Sequence, residues 1–154
     1  MRNTIIILII SLIAVSCGKD KFTTAPQIKF KSIKPDRVPS NVIIHSADVP
    51  LLTIGVTDRE GDLGFVDGKD TAFLFIRNIA LNRTDSFHLP DIQSAAGKNF
   101  DSDILMDMFD VLRPDPRYTN RPRVDTLMFE LYVKDFAKNK SNVITAGPLY
   151  YEVQ

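Results

Sequence analysis

The chain has 154 residues, enough for one domain with a substantial hydrophobic core but too few for two comfortable domains. Hydrophobic residues make up 44% of the chain and charged residues 25%, which are ordinary values for a globular protein. Lys and Arg together number 19, as do Asp and Glu, so the formal net charge is zero, and this balance argues against nucleic acid as a partner.

The N-terminus has the pattern of a secretory signal peptide. Arg2 precedes a nearly unbroken apolar run over residues 4–15, which is too short to span a bilayer unaided. The run ends at Ser16-Cys17, and Cys17 is the only cysteine, so the chain cannot form an intramolecular disulfide. We therefore predict a signal peptide over residues 1–16.

The stretch IAVSC, residues 13–17, resembles a bacterial lipobox, with Ala14 at the position where leucine is more usual. The resemblance implies cleavage before Cys17 and attachment of a diacylglycerol to its sulfur. Two or more acyl chains give stable anchoring, so the membrane is an expected partner, and the outer membrane of the cell envelope is the expected location. An ordinary signal peptide with an incidental cysteine is the alternative. Residues 17–26 then form the acylated cysteine and a polar tether.

Residues 27–154 contain short, strand-like runs separated by turn residues, and helical periodicity is scarce. In the first run we expect Ile28, Phe30 and Ser32 to share one face. Residues 113–124 contain three prolines and are expected to form a loop. The predicted strands are 27–33, 51–56, 72–79, 86–89, 126–133 and 142–153. This pattern predicts an all-β fold, an antiparallel β-sandwich of seven or eight strands.

Residues 104–112 are ambiguous between a strand and a helix. Ile104, Met108 and Leu112 would share a helical face, and Asp103 could cap it. A helix of under three turns is marginal on its own, so we favour a strand.

Acidic residues follow two of the predicted strands. Asp58, Glu60 and Asp62 come after strand 51–56, and Asp135 comes after strand 126–133. If these strands are B and F of an immunoglobulin-like sandwich, the loops that follow them lie at the same end. We therefore expect the four carboxylates to meet, although they are far apart in sequence.

Four neighbouring carboxylates repel one another unless a cation neutralises them. Ca²⁺ takes six to eight oxygen ligands in a tolerant geometry, so a calcium site between these loops is one of two hypotheses. The spacing is not that of an EF-hand, because Lys69 stands where the twelfth-position glutamate belongs. The competing hypothesis is a simple turn at residues 60–62 whose acids form ion pairs with basic neighbours, namely Arg59, Lys134 and Lys138.

The stretches TDREGDLG, residues 57–64, and KDFAKNKSNVITAGPL, residues 134–149, resemble the immunoglobulin- or cadherin-like domains of small Bacteroidota lipoproteins. Such domains carry a D-x-E/D-G-D-x-G stretch early and a D-x-A-x-N-x-S-N stretch before the last strand. The second pattern is held here by Asp135, Ala137, Asn139, Ser141 and Asn142. Lys138 stands where such loops often have glycine. The resemblance implies a fold and carries no activity with it.

The sequence contains no G-x-S-x-G, no H-E-x-x-H and no phosphate-binding glycine-rich loop. We therefore predict a non-catalytic binding or assembly module whose partner is a protein or a glycan. The alternatives are a carboxylate-based hydrolase acting on glycans, which would use the acidic cluster, and a purely structural spacer.

Overall fold

The computed structural model describes residues 20–64, 71–90 and 97–154, and it confirms the predicted all-β architecture. The predicted signal peptide, 1–16, and Cys17 lie outside the described residues. One 3-10 turn, Phe109–Val111, is the only helical element in the described ranges. The strands are β1 (Gln27–Lys34), β2 (Arg37–Pro39), β3 (Leu51–Asp58), β4 (Phe73–Asn78), β5 (Arg83–His88), β6 (Phe100–Asp107), β7 (Arg123–Lys134) and β8 (Ile144–Val153).

The strands form two sheets, in the order β1-β3-β6 and β2-β8-β7-β4-β5. Neighbouring strands are antiparallel, apart from the short strand β2, which runs parallel to β8. Two sheets of three and five strands are consistent with the predicted sandwich. The immunoglobulin-like assignment stays a prediction. In that fold strand B lies between A and E, and strand F lies between C and G. Here β3 lies between β1 and β6, and β7 lies between β8 and β4, which agrees with β3 as strand B and β7 as strand F.

Strand β7 supplies the clearest part of the core. Leu127, Phe129, Leu131 and Val133 are fully buried, as their placement at every second position predicts. Each such side chain stabilises the fold by about 1.5–3 kcal/mol relative to an exposed position. The strand begins at Arg123, so the expected loop ends earlier than the sequence indicated, directly after the third proline, Pro122.

A β-bulge in β1 changes which side chains face the core, so the prediction for this strand was wrong at Ser32. The register with β3 shifts between Phe30 and Ser32, so one extra residue stands in β1. Beyond the bulge the core position belongs to Ile33, which is buried, instead of the predicted Ser32. Because side chains alternate with period two, a single inserted residue exchanges the two faces of the strand.

The ambiguous segment 104–112 contains both a strand and a helical turn. Residues up to Asp107 belong to β6, where Ile104 is buried and Leu105 is 58% exposed, as in a strand. The Asp107 carboxylate then accepts a hydrogen bond from the backbone N–H of Phe109, 2.7 Å away, where the 3-10 turn begins. Across residues 20–64, 71–90 and 97–154, no helix has the length and apolar character needed to cross a bilayer.

Candidate metal centre

Asp58 is the last residue of β3, and its side chain is fully buried. It lies two positions after Val56, so strand alternation directs it to the core side of the sheet. Its Oδ2 accepts a hydrogen bond from the N–H of Gly61 at 2.6 Å. Gly61 has φ 68°, and a Cβ there would lie 2.2 Å from the carbonyl oxygen of Gly97. Only glycine fits this turn without displacing the neighbouring backbone.

Asp62 joins the loop after β3 to the loop after β7. Its carbonyl oxygen accepts a hydrogen bond from the N–H of Phe136 at 3.0 Å, and its Oδ2 accepts one from the N–H of Ala137 at 3.3 Å. The prediction that the two loops lie at the same end of the molecule is therefore confirmed.

Asp135 immediately follows β7 and is fully buried. Its Oδ1 accepts from the N–H of Asn139 at 2.7 Å, and its Oδ2 accepts from the side-chain amide of the same residue at 2.9 Å. Lys138 adopts φ 68°, a left-handed conformation that lets this loop turn back on itself. The loop thus fixes the Asp135 carboxylate from both sides.

Three of the four predicted ligands come together. Asp58, Asp62 and Asp135 each offer a carboxylate oxygen, and these oxygens all lie within 4.8 Å of one another. We call these residues the acidic trio. Glu60, the fourth predicted ligand, lies outside this group; it is exposed, and its Oε1 accepts a hydrogen bond from the Thr24 hydroxyl at 3.3 Å. The turn that directs Asp58 and Asp62 inwards leaves Arg59 and Glu60 on the surface.

Two oxygens of the acidic trio are buried without a hydrogen-bond partner, Oδ1 of Asp58 and Oδ1 of Asp62. An unpartnered buried oxygen on a charged group loses its hydration and gains nothing in return. Burial, together with the nearby charges of Asp62 and Glu60, raises the pKa of Asp58 from its ordinary value of 3.8 to about 6, although the hydrogen bond from Gly61 opposes the shift. Burial, together with the charge of Asp135, also raises the pKa of Asp62.

The predicted ion pairs that would neutralise these acids do not form. Arg59 donates to the carbonyl oxygen of Phe22 at 2.9 Å, and Lys138 donates to the carbonyl oxygen of Thr71 at 3.2 Å. The Lys134 ammonium lies 5.6 Å from the ring centre of Phe75. The turn itself is present, with glycine at positive φ, but the proposed neutralisation by basic side chains was wrong. The basic side chains therefore do not relieve the repulsion within the acidic trio.

Comparison of the chain with protein-family models, with curated proteins and with solved structures gave no match. The resemblance to immunoglobulin-like lipoproteins consequently stays a prediction, and the site must be interpreted from its own chemistry. That chemistry is uniform, since the acidic trio offers only carboxylate oxygens, which are ligands of hard cations. The acidic trio could hold a metal ion.

Two further side chains near the site hold the scaffold together, and reasoning from the sequence did not assign them these roles. The Ser141 hydroxyl accepts from the N–H of Val133 at 2.9 Å, which closes the loop behind Asp135. The Asn142 side chain accepts from the N–H of Ile28 at 2.8 Å and donates to its carbonyl oxygen at 2.9 Å. Asn142 therefore pairs with β1 as another strand would, and it joins the two sheets beside the site. Both residues belong to the D-x-A-x-N-x-S-N pattern, which was the available signal.

Proposed function

We propose that this protein is a lipoprotein of the cell envelope, anchored to the outer membrane through Cys17, whose β-sandwich serves as a non-catalytic binding or assembly module. We further propose that the acidic trio binds one Ca²⁺ ion, which stabilises the loops at one end of the sandwich. The anchor rests on the lipobox resemblance. The observation that carries the calcium proposal is the pair of buried, unpartnered carboxylate oxygens on Asp58 and Asp62.

Calcium fits the acidic trio better than the other common metals. Ca²⁺ binds oxygen at 2.3–2.6 Å, so two of its ligands are at most about 5 Å apart. The oxygens of the acidic trio lie within 4.8 Å of one another, so each pair meets this limit. Zn²⁺ favours nitrogen and sulfur ligands, and Mg²⁺ prefers to keep several waters. Further oxygens are needed to complete the calcium shell, from the second oxygens of the same carboxylates or from water.

Access to the acidic trio favours a structural ion over hydrolysis of a glycan. Hydrolysis requires two carboxyl groups that flank a glycosidic bond, with one or both in contact with the sugar. Asp58 and Asp135 both have 0% exposure, so a sugar cannot reach them without opening the loops. A small ion needs no such access, because the loops fold around it.

The turn between Asp58 and Asp62 also contacts the segment that leads to the predicted anchor. The N–H of Arg59 donates to the carbonyl oxygen of Thr23 at 3.1 Å, and Thr24 donates to Glu60. Arg59 and Glu60 lie between two of the proposed ligands, so an ion that orders their turn also orders the start of the domain. Bound calcium would therefore stiffen the region nearest the membrane.

Thermal unfolding of the purified protein in chelator, Ca²⁺ or Mg²⁺ tests the metal proposal. At a free Ca²⁺ concentration 100 times the Kd, the free energy of unfolding should rise by about 2.7 kcal/mol. Mg²⁺ at the same concentration should give a smaller rise. An unfolding curve that Ca²⁺ does not move would refute the site.

Membrane fractionation tests the anchor separately. The wild-type protein should be found in the membrane fraction with an acylated Cys17, which mass spectrometry of the N-terminal peptide detects. Cys17→Ser should abolish the acylation, because serine lacks the sulfur that forms the thioether. A wild-type protein without acyl groups would refute the anchoring while leaving the metal proposal intact.

A further inference from the structure

The outer face of the five-stranded sheet carries aromatic rings where a solvated sheet face normally carries polar side chains. In β4, Leu74 and Ile76 are buried, so strand alternation places Phe73 and Phe75 on the opposite face. The register with β7 pairs Phe75 with Tyr132. Both phenylalanines and Tyr132 remain partly exposed.

The rings and two lysines form a column across these strands. The rings of Phe75 and Tyr132 stack with centroids 4.6 Å apart and an interplanar angle of 8°. The Lys134 ammonium lies 5.6 Å from the centroid of Phe75, and the Lys140 ammonium lies 4.1 Å from that of Tyr132. Phe73 packs beside Phe75 at 6.1 Å. We call these five residues the ring–lysine face.

The charge of this face is positive, and the nearby acids that the structure describes are engaged elsewhere. Among the described residues, Lys134 and Lys140 form no ion pair. Glu130, which faces the same side two positions before Tyr132, is paired with Arg77 at 2.6 Å. Asp135 is the nearest acid in sequence to Lys134, and it is buried in the acidic trio. Within the part of the chain that the structure describes, these two ammonium groups thus have no carboxylate paired with them, one at the end of β7 and one in the loop that follows.

We propose that the ring–lysine face binds an acidic peptide segment of a partner protein. Carboxylates of such a segment would pair with the two ammonium groups, and they would also be attracted by the ring edges, which carry partial positive charge. Aromatic residues are enriched at protein–protein interfaces, which agrees with this occupant. An acidic polysaccharide fits less well, because the faces of the Phe75 and Tyr132 rings, on which sugars would stack, are already covered by each other and by the lysines.

This inference rests on the proposed binding role and names the chemistry of its partner, but it does not depend on the metal site. The test is a titration of the ¹⁵N-labelled protein, in constant Ca²⁺, with deca-glutamate and with deca-glutamine as the uncharged control. We expect deca-glutamate to shift the amide signals of β4, of the end of β7 and of Lys140. The binding should weaken as salt is raised, because exposed charges are screened beyond about 10 Å at 0.1 M ionic strength.

Two double variants show whether binding depends on the lysines of this face or only on the total charge of the protein. Lys134→Ala with Lys140→Ala should weaken deca-glutamate binding about 5- to 25-fold, the effect of losing two exposed ion pairs. Lys29→Ala with Lys31→Ala removes the same charge from the other sheet and should leave the affinity within about twofold. Tyr132→Leu keeps an apolar side chain but removes the ring beneath Lys140, and it should weaken binding about threefold.

Three results would overturn the inference: no binding of deca-glutamate, equal weakening by both lysine pairs, or signal shifts located elsewhere. Binding of polygalacturonate at this face without binding of deca-glutamate would also overturn it, in favour of a sugar polymer. Unfolding curves of each variant establish that it is folded. Any of these failures leaves the thermal test of calcium and the acylation test of Cys17 standing, so the separate proposals fail separately.

Discussion

Replacing Asp58 by asparagine should stabilise the metal-free protein, which is the opposite of what most substitutions at buried positions do. The Asp58 carboxyl has a pKa of about 6 in the folded protein against 3.8 ordinarily, and one pKa unit corresponds to about 1.36 kcal/mol. The difference corresponds to roughly 3 kcal/mol by which the ionised group destabilises the metal-free fold at pH 7. Asparagine keeps an oxygen to accept from Gly61 and has no charge, so Asp58→Asn should recover most of this energy.

The pH dependence of the effect follows from the sign of the shift. The folded state holds this proton more tightly than the unfolded state, so the wild-type protein in chelator should lose this stability as the pH rises from about 4 to above 6. The difference between wild type and Asp58→Asn should therefore be small at pH 4 and reach about 3 kcal/mol at pH 7. For a domain of this size the latter is about 10 °C in Tm.

Calcium should stabilise the wild-type protein more than the Asp58→Asn variant. The wild-type protein should gain stability on addition of Ca²⁺ at pH 7, whereas Asp58→Asn, which has lost a charged ligand, should gain little or none. The assay is thermal unfolding followed by circular dichroism, with and without chelator at both pH values. If Asp58→Asn is less stable than wild type in chelator at pH 7, Asp58 acts as a structural hydrogen-bond acceptor and the electrostatic reasoning is wrong.

Two further substitutions test the scaffold around the site. Asn142→Ala removes both hydrogen bonds to Ile28 and should lower the free energy of unfolding by about 1–3 kcal/mol in chemical denaturation, while the exposed Asn120→Ala should change it by less than about 0.5 kcal/mol; equal effects would contradict the role given to Asn142. Lys138→Gly should raise the stability by about 0.5–1 kcal/mol although it also loses the exposed bond to Thr71, because glycine adopts φ 68° without the cost that other residues incur. Lys138→Ala keeps the strained backbone and loses the bond to Thr71, so it should not be more stable than wild type; a gain there would show that strain is not the cause.

Most of the fold could be predicted from strand alternation and from the positions of turn residues. β7 could be predicted over residues 126–133, because four buried residues alternate with partly exposed ones over its last eight positions. The bulge in β1 could not, because it depends on how the backbone pairs with β3 and leaves no mark in the polarity pattern. Segment 104–112 was ambiguous because it is a strand that runs into a helical turn, so both periodicities are present in part.

The parts of the candidate site that depend on strand topology could be predicted from the sequence. Asp58 and Asp135 could be brought together because each ends a core strand, and the assumed sandwich places those strand ends at one pole. Glu60 was misplaced because the sequence does not show which side chains of a tight turn face inward. The partner of Asp135, Asn139, belonged to a recognised pattern, but its hydrogen bonds appear only once the loop conformation is known.

A crystal structure of the protein grown in Ca²⁺ tests the central claim most directly. We expect one ion bound by carboxylate oxygens of Asp58, Asp62 and Asp135, at the 2.3–2.6 Å typical of calcium, with Glu60 outside its coordination shell. A structure at saturating Ca²⁺ in which no ion lies between these three carboxylates would contradict the account.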